Sequence, residues 1–239
     1  MSFKEYTIQP FGENALLIKW EALPSRDLFR HLMTAKEALK NHFQSEVILT
    51  YQELLIKNIS ATAQRIEEVD NCLNDIQAST IETTSQRRLR IPVCYDADFG
   101  EDIETLAKAK NLSTQEIIQL HTTPEYLVYF MGFLPGFPYL LGLDERLHMP
   151  RKAVPSRQLQ AGSVAIGGEQ TGIYPQNSPG GWQVIGHCPI PLFDANTGAG
   201  SLFQSGDLIR FVAISKQEHR ELSKMSLLDF TNSSYISNG

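Results

Sequence analysis

The sequence lacks several features that would each place it in a particular class of protein. Its three cysteines, Cys72, Cys94 and Cys188, are odd in number and no two are close, which excludes a CxxC redox or zinc motif. No apolar run approaches the roughly 20 residues that span a bilayer. The N-terminal residues have no basic head followed by an apolar stretch, so we expect no signal peptide. The cysteines fit a reducing compartment, and we expect a cytoplasmic protein.

An excess of positive charge is also missing. The 239 residues include 21 Lys and Arg against 27 Asp and Glu, a formal net charge of -6. No basic face offsets the charge of a phosphate backbone, so we do not expect a nucleic-acid-binding protein. The sequence contains no GxxxxGK[ST] loop, no GxSxG and no HxxxH or HxH pair. It therefore shows no standard motif for a nucleotide, a serine hydrolase or a metal.

Proline and glycine, by contrast, are concentrated in the second part of the chain. Ten of the 12 prolines lie between Pro92 and Pro191, and 14 of the 16 glycines lie between Gly100 and Gly206. The earlier residues have the regular patterns of helices and strands. This change of composition predicts four parts: a first domain over residues 1–82, a linker at 83–90, a second domain over 91–215 and a loose tail over 216–239.

The first domain is predicted to contain two strand pairs, each followed by a helix. One helix follows a candidate N-cap at Ser25 and the other a candidate N-cap at Ser60, and both have apolar residues at spacings of three and four. The order ββαββα indicates an α+β domain, a small antiparallel sheet covered by two helices. The four predicted strands are Tyr6 to Gln9, Ala15 to Trp20, Val47 to Tyr51 and Leu54 to Lys57.

The second domain is predicted to be mostly β. A strand from Leu89 to Tyr95 precedes a helix near Glu101, and Ser113 with Glu116 forms a capping box for the next helix. Short apolar runs separated by turns follow, which is the pattern of a β-barrel with long loops. The runs are Tyr126 to Met131, Ser163 to Ile166, Trp182 to Ile185 and Leu208 to Ile214.

One irregular segment, residues 129–157, combines aromatic residues with prolines and glycines and ends in a group of cations. A long irregular segment in a compact domain is usually functional or disordered, and this one is too aromatic for disorder. An arginine fork binds carboxylates and phosphates in two places, although a solvated loop edge is an equal alternative for each cation. The cations are Arg146, Arg151, Lys152 and Arg157.

A second segment, residues 161–189, contains the glycine pairs Gly167-Gly168 and Gly180-Gly181. Successive backbone N–H groups in such turns can form a nest for an anion, although tight barrel turns alone would also explain the glycines. Two of the six histidines flank these segments. His121 ends a predicted helix and His187 follows the SPGGW turn, and each is either a proton-transfer candidate or a structural residue.

Four stretches of the second domain resemble one known family. GFLPGFPYL at 132–140, LHMPRKAVP, AGSVAIGGEQTGIYP and SPGGWQVIGH are similar to the family of the B subunit of 5-oxoprolinase, also called allophanate hydrolase subunit 1 or the KipI family. Gln160 replaces a proline that family members usually have before AGSV. The resemblance implies a cyclophilin-like barrel in the second domain. It also implies a KipA-type sister subunit, a LamB/YcsF-type protein, and ATP, with Mg²⁺, for hydrolysis of 5-oxoproline to glutamate.

Our hypothesis at this point is a single cleft at the mouth of the barrel. His121 and His187 transfer protons in it, and six residues bind the substrate or a phosphate: Tyr139, Arg151, Ser178, Gly180, Gly181 and Trp182. We expect the chain alone to be inactive, because no complete catalytic set is visible in it. The alternatives are an inhibitor that binds a sporulation histidine kinase, a protein that processes allophanate or a urea-derived amide, and a scaffold for the partner.

Overall fold

The structure is a computed structural model that describes residues 3, 5–76, 86–195 and 200–238. The chain divides into two compact units, Met1–Thr84 and Ser85–Gly239. It is a mixed α/β protein that contains one large β-sheet. In the part of the chain that is described, no helix has both the length and the apolar character needed to cross a membrane.

The first unit is a four-stranded antiparallel sheet with two helices. The hydrogen-bonded order of its strands is β1-β2-β4-β3, and the two helices pack against each other. In chain order the elements are Tyr6–Pro10 (β1), Ala15–Trp20 (β2), Arg26–Phe43 (α1), Val47–Leu49 (β3), Glu53–Lys57 (β4) and Ala63–Asp75 (α2).

Side-chain caps fix where these two helices begin. Ser25 caps α1, since its Oγ accepts a hydrogen bond from the backbone N–H of Leu28 at 3.1 Å, as the sequence predicts. The predicted cap of α2 is wrong by two residues. Thr62 caps this helix in place of Ser60, because the Thr62 hydroxyl accepts from the backbone N–H of Arg65.

The described part of the second unit contains four α-helices and most of the strands. The helices are Ile103–Lys110 (α3), Thr114–Thr122 (α4), Lys216–Leu222 (α5) and Leu227–Thr231 (α6). The strands are Arg87–Val93 (β5), Tyr126–Met131 (β6), Pro138–Leu141 (β7), Ser156–Leu159 (β8), Ser163–Gly167 (β9), Gln170–Ile173 (β10), Ser178–Gly180 (β11), Gln183–His187 (β12), Phe193–Asp194 (β13), Gly200–Ser201 (β14), Leu208–Ala213 (β15) and Ile236–Asn238 (β16).

Eight of the described strands form one sheet in the order β12-β9-β10-β7-β6-β15-β5-β16. Cys94, directly after β5, pairs with His187 of β12 through two backbone hydrogen bonds of 2.9 Å. This bridge joins β5 to the strand at the opposite end of the sheet, so that the sheet closes on itself. Two further pairs, β8 with β11 and β13 with β14, lie outside it.

The sheet separates two apolar clusters. Along β9, Val164 and Ile166 belong to the large core cluster, whereas Ala165 between them belongs to a smaller one. Successive side chains of a strand point to opposite faces, so the two clusters lie on opposite faces of the sheet. We call them the inner core and the outer cluster; the outer cluster is Phe137, Leu159, Ala165, Tyr174, Trp182 and Val184.

Two predictions about the ends of the second domain are wrong. Residues 87–90, within the predicted linker, belong to β5, which pairs in parallel with β15; residues 83–85 lie outside the described part. The predicted loose tail contains α5, α6 and β16, and β16 pairs with β5. The tail is attached because Leu227 and Phe230, three residues apart on α6, are buried in the inner core.

Candidate functional site

His121 lies in the inner core and has no exposed surface. It sits in the last turn of α4, whose N-terminus carries the predicted capping box of Ser113 and Glu116. Its ring stacks on Phe211, with centroids 4.3 Å apart. Burial lowers the pKa of His121 to about 3, so the imidazole is neutral near pH 7.

The hydrogen bonds of His121 define its tautomer. The Thr171 hydroxyl donates to the carbonyl of Ala165 at 3.1 Å, so its oxygen accepts from Nε2–H of His121 at 2.9 Å. Nδ1 then accepts from the hydroxyl of Tyr95 at 2.7 Å. Both ring nitrogens are therefore satisfied by buried partners, and the arrangement is that of a structural histidine.

Four aromatic residues form what we call the aromatic wall: Phe137, Tyr174 and Trp182 of the outer cluster, and Tyr139, which packs against it. Tyr139 and Trp182 are the two aromatic residues predicted for the site. Trp182 meets Tyr139 and Tyr174 edge-on, with ring centroids 6.4 Å and 6.3 Å apart, and meets Phe137 at 5.6 Å. Edge-to-face arrangements at these distances are favourable for aromatic pairs. Burial raises the pKa of Tyr139 and raises that of Tyr174 to about 12, so both phenols carry their protons near pH 7.

Two glycines make room for this wall. A Cβ at Gly167 would lie 2.5 Å from the Trp182 indole, so the absence of a side chain on β9 lets the indole lie against the strand. A Cβ at Gly180 would lie 2.5 Å from the Tyr174 hydroxyl. The glycines at these two positions are therefore needed for side-chain packing as well as for turns.

Arg151 faces this wall from the loop before β8. Its guanidinium carbon lies 5.8 Å from the centroid of the Trp182 ring, a cation–π contact. Its positive charge opposes the effect of burial on the pKa of both Tyr139 and Tyr174. Within the described residues, no carboxylate forms an ion pair with Arg151.

The other cations of the predicted group have different surroundings. Arg146 pairs with Asp144, with nitrogen and oxygen 2.6 Å apart, and Lys152 pairs with Asp102 at 2.6 Å. Arg146 therefore fits the alternative that the sequence left open, a solvated cation at the edge of a loop. Lys152 has a structural role, because its ion pair connects the loop to Asp102. Arg151 is the member of the group that contacts the aromatic wall.

Ser178 adds a polar atom to the same region. It pairs with Leu159, a member of the outer cluster, in the short β8–β11 ladder that also holds Gly180. The side chain is 7% exposed, and its Oγ has no hydrogen-bond partner among the described residues. A buried hydroxyl without a partner is costly, and a bound ligand would satisfy it.

His187 lies at the other end of β12 from Trp182. Its Nε2–H donates to the carbonyl of Ala161 at 2.8 Å, so Nδ1 accepts from Nε2–H of His219 at 2.9 Å. Phe99 lies 4.2 Å from the His219 ring. Burial, with a smaller contribution from His219, lowers the pKa of His187. His219 is 8% exposed, and no sequence signal pairs it with His187.

The structure thus brings together part of the predicted cleft. Tyr139, Arg151, Trp182 and the Gly180–Gly181 turn lie together, since a Cβ at Gly181 would lie 3.8 Å from Cβ of Arg151. The predicted convergence is wrong for His121, which lies in the inner core because α4 packs there. The ring contacts of His187 are with Phe99 and His219, and none of them is with the aromatic wall among the described residues. Its role in proton transfer stays a prediction.

The arrangement can bind a small flat anion. A guanidinium without a carboxylate partner among the described residues, an aromatic face and protonated phenols provide charge, stacking area and hydrogen-bond donors. No group of three or more His, Cys, Asp or Glu that could hold a metal ion occurs among the described residues. The sequence did not identify Phe137 as part of this wall, because Tyr174 and Trp182, which its ring contacts, are distant in sequence.

Comparison with known families gives one clear match. Residues 6–203 match the family described as carboxyltransferase domain, subdomain C and D. This match covers most of both units, including the aromatic wall and the loop that carries Arg151.

Curated proteins named as the B subunit of 5-oxoprolinase are similar to the chain. The protein of Bacillus subtilis is 45% identical over 142 residues, and that of Haemophilus influenzae is 50% identical over 126 residues. These alignments cover 59% and 53% of the chain, and 59% of each relative, so the match spans a little over half of the relatives' length. The urea amidolyase of Saccharomyces cerevisiae is 31% identical over 134 residues, 52% of this chain and 7% of its own.

Solved structures show the same fold. A conserved uncharacterised protein of Pyrococcus horikoshii is 34% identical, with a TM-score of 0.54 and coverage of 89% of this chain and 100% of its own. The urea amidolyase of K. lactis has a TM-score of 0.82 over 100% of this chain and 16% of its own, at 15% identity. Because the identity with the K. lactis protein is only 15%, this second similarity concerns the fold alone.

Proposed function

The chain belongs to the family of carboxyltransferase domains, subdomains C and D, and from this premise we propose that it is one subunit of an ATP-dependent 5-oxoprolinase. The reaction is the hydrolysis of 5-oxo-L-proline to L-glutamate. The observation that carries the proposal is the identity with curated 5-oxoprolinase B subunits, which is far higher than the identity with the urea amidolyase. The second unit is, in this proposal, a cyclophilin-like barrel.

The chemistry to be performed explains why the site needs an anion-binding group. A lactam carbonyl is a poor electrophile, and phosphorylation of its oxygen by ATP makes it a good one. The site must therefore hold a substrate carboxylate and a developing phosphate in fixed positions. In our proposal Arg151 holds one of these anions, backbone N–H groups around Gly180 and Gly181 hold the other, and Tyr139 and Trp182 exclude water.

Partner proteins complete the proposed enzyme. We infer a KipA-type sister subunit and a LamB/YcsF-type protein, with ATP and Mg²⁺ as co-substrates of the complex. Phe133, 63% exposed and 5.7 Å from the Phe137 ring, is where we expect the sister subunit to contact the outer cluster.

A cytoplasmic location is part of the proposal. All three cysteines are free, and Cys94 and Cys188 are buried where burial raises the pKa of each thiol. Buried protonated thiols suit a reducing compartment, in which no disulfide is required.

Reconstitution tests the proposed function. The purified chain is combined with its KipA-type and LamB/YcsF-type partners, and glutamate release from 5-oxoproline is measured with ATP and Mg²⁺. We expect turnover by the three proteins together and none by this chain alone. Omission of this chain is the matched control. Glutamate release that is equal with and without the chain would contradict the proposal.

A second candidate function is the processing of allophanate or a urea-derived amide. The similarity to urea amidolyase in sequence and fold favours this candidate. The same reconstituted complex decides between the two reactions, because urea and allophanate can replace 5-oxoproline in the assay. Release of ammonia from either compound at a rate above that of glutamate would favour the alternative.

A further inference from the structure

The loop that carries Arg151 is fixed on both sides of this residue. Before it, Met149 and Gly168 exchange two backbone hydrogen bonds of 3.0 Å and 2.7 Å, and the Gln183 amide donates to the carbonyl of Pro150 at 3.0 Å. After it, the backbone N–H of Lys152 donates to the carbonyl of Gly181 at 2.6 Å. The backbone of Arg151 is therefore held against β9 and β12.

The side chain of Lys152 strengthens this attachment. Its Nζ lies 2.6 Å from Oδ2 of Asp102, and the same oxygen accepts from the backbone N–H of Val184 at 2.7 Å. Asp102 precedes α3, and its backbone N–H donates to the carbonyl of Val184. Both partners are largely buried, so the pair is screened less than a surface ion pair. Lys152 thus ties the arginine loop to β12.

Among the described cations of this loop, Arg151 provides the positive charge that faces the aromatic wall. Asp102 and Glu101 neutralise the Lys152 ammonium, at 2.6 Å and 3.3 Å, while Arg151 faces the aromatic wall without a carboxylate partner among the described residues. A phosphate carries close to two charges near pH 7 and is usually held by several cations or a helix N-terminus. A carboxylate carries one charge, and one guanidinium fork pairs with it in two places.

We propose that the Arg151 guanidinium, which lies over the Trp182 ring, binds the carboxylate of a small cyclic amide, and that Lys152 positions Arg151 for this contact. This inference rests on the proposed function and decides which of the two anions Arg151 holds. The backbone at Gly180–Gly181 is then left for the phosphate. The test below also detects the alternative, in which Arg151 binds a phosphate group.

Trp182 provides a direct readout of binding. The chain has two tryptophans, Trp20 and Trp182, so a Trp20→Phe variant reports on the site alone. Its fluorescence is titrated with L-5-oxoproline, with 2-pyrrolidinone, which is the same ring without the carboxylate, and with inorganic phosphate. We expect saturable binding of 5-oxoproline and at least about tenfold weaker binding of the other two, the lower end of what a charged hydrogen bond contributes.

Variants of the loop test each part of the inference. Arg151→Met is expected to weaken binding of 5-oxoproline about tenfold to a hundredfold. Lys152→Met is expected to weaken binding of 5-oxoproline by a smaller factor. Lys152→Arg, which keeps the ion pair with Asp102, is expected to bind with the affinity of the parent. The matched control is Arg157→Met. Arg157 is an exposed arginine of the neighbouring strand β8 that makes no contact with the aromatic wall among the described residues, so this variant is expected to keep the affinity of the parent. Circular dichroism shows that each variant is folded.

Three results would overturn the inference: no binding of 5-oxoproline, binding of phosphate or 2-pyrrolidinone as tight as that of 5-oxoproline, or an unchanged affinity in Arg151→Met. These outcomes are separable from failure of the proposed function. Binding without turnover in the reconstituted complex rejects the oxoprolinase and keeps the subsite. Turnover that Arg151→Met does not affect rejects the subsite and keeps the oxoprolinase.

Discussion

At the scale of single residues, the same side-chain type has different roles in different surroundings. His121 is a neutral core histidine because Tyr95 and Thr171 satisfy both ring nitrogens and no surface of the residue is exposed. Arg151 and Lys152 are adjacent in sequence, yet one faces the aromatic wall and the other is paired with Asp102. Residue type alone does not distinguish these roles, because the partners that decide them are distant in sequence.

Protonation of His121 should destabilise the second unit. The unfolded imidazole titrates near pH 6.5, while the folded one has a pKa of about 3. Stability is therefore complete above pH 6.5 and falls as the pH drops toward 3, by at most about 1.4 kcal/mol per pH unit for this group. Burial also lowers the pKa of His187 and of His219, which adds to the loss.

Denaturant unfolding of Trp20→Phe, followed by Trp182 fluorescence at pH 7, 6, 5 and 4, measures this effect. Replacement of His121 by Asn removes the group, so we expect a shallower dependence of the free energy of unfolding on pH. The measured quantity is the slope of the free energy of unfolding against pH, and a loss of stability that is equal at every pH does not change this slope. An unchanged slope would show that His121 does not stay neutral in the folded protein.

At the scale of elements, local signals predicted α1 to α4, whereas α5 and α6 fall in the segment that was predicted to be a loose tail. The caps at Ser25 and Ser113 are visible in sequence because their partners lie three residues away. The strands β2 and β6 have the predicted bounds. The β5–β15 pairing and the Cys94–His187 bridge join segments about a hundred residues apart. No local pattern specifies such neighbours, which explains why the sequence did not predict which segments pair to close the sheet.

The helix α6 provides a test of the attached C-terminal segment. Phe230 is fully buried in the inner core, whereas Leu228 on the same helix is 62% exposed. We expect Phe230→Ala to lower the free energy of unfolding by about 3–5 kcal/mol, the range for a buried aromatic side chain. Leu228→Ala, the matched control, should change it by at most about 0.5 kcal/mol. Equal effects in thermal or denaturant unfolding would mean that α6 does not pack as described.

At the scale of the whole molecule, the family match extends over most of both units, while the candidate site lies in one of them. The sequence predicted two domains from the distribution of proline and glycine, and the boundary between the units, after Thr84, falls within the predicted linker. The inner and outer faces of the sheet could not be assigned, since the continuous apolar runs of β6 and β9 show no alternation. For this reason His121 and Arg151 were assigned to the same cleft.

The predicted linker can be tested by limited proteolysis. A Glu-specific protease is expected to cut first after Glu82, because the surrounding sequence is polar and without periodicity. Both fragments should then persist and give separate bands on a gel. Earlier cleavage within residues 91–215 would contradict the division into two domains.

In our proposal, Arg151 and the aromatic wall form part of a working 5-oxoprolinase. The rate of glutamate release tests this proposal in reconstituted complexes that contain the parent chain, Arg151→Ala or Arg157→Ala. We predict that Arg151→Ala lowers kcat/KM about tenfold to a hundredfold, because a charge-assisted bond to the substrate is lost. Arg157→Ala should retain the parent value. Equal kcat/KM for all three complexes would contradict the account.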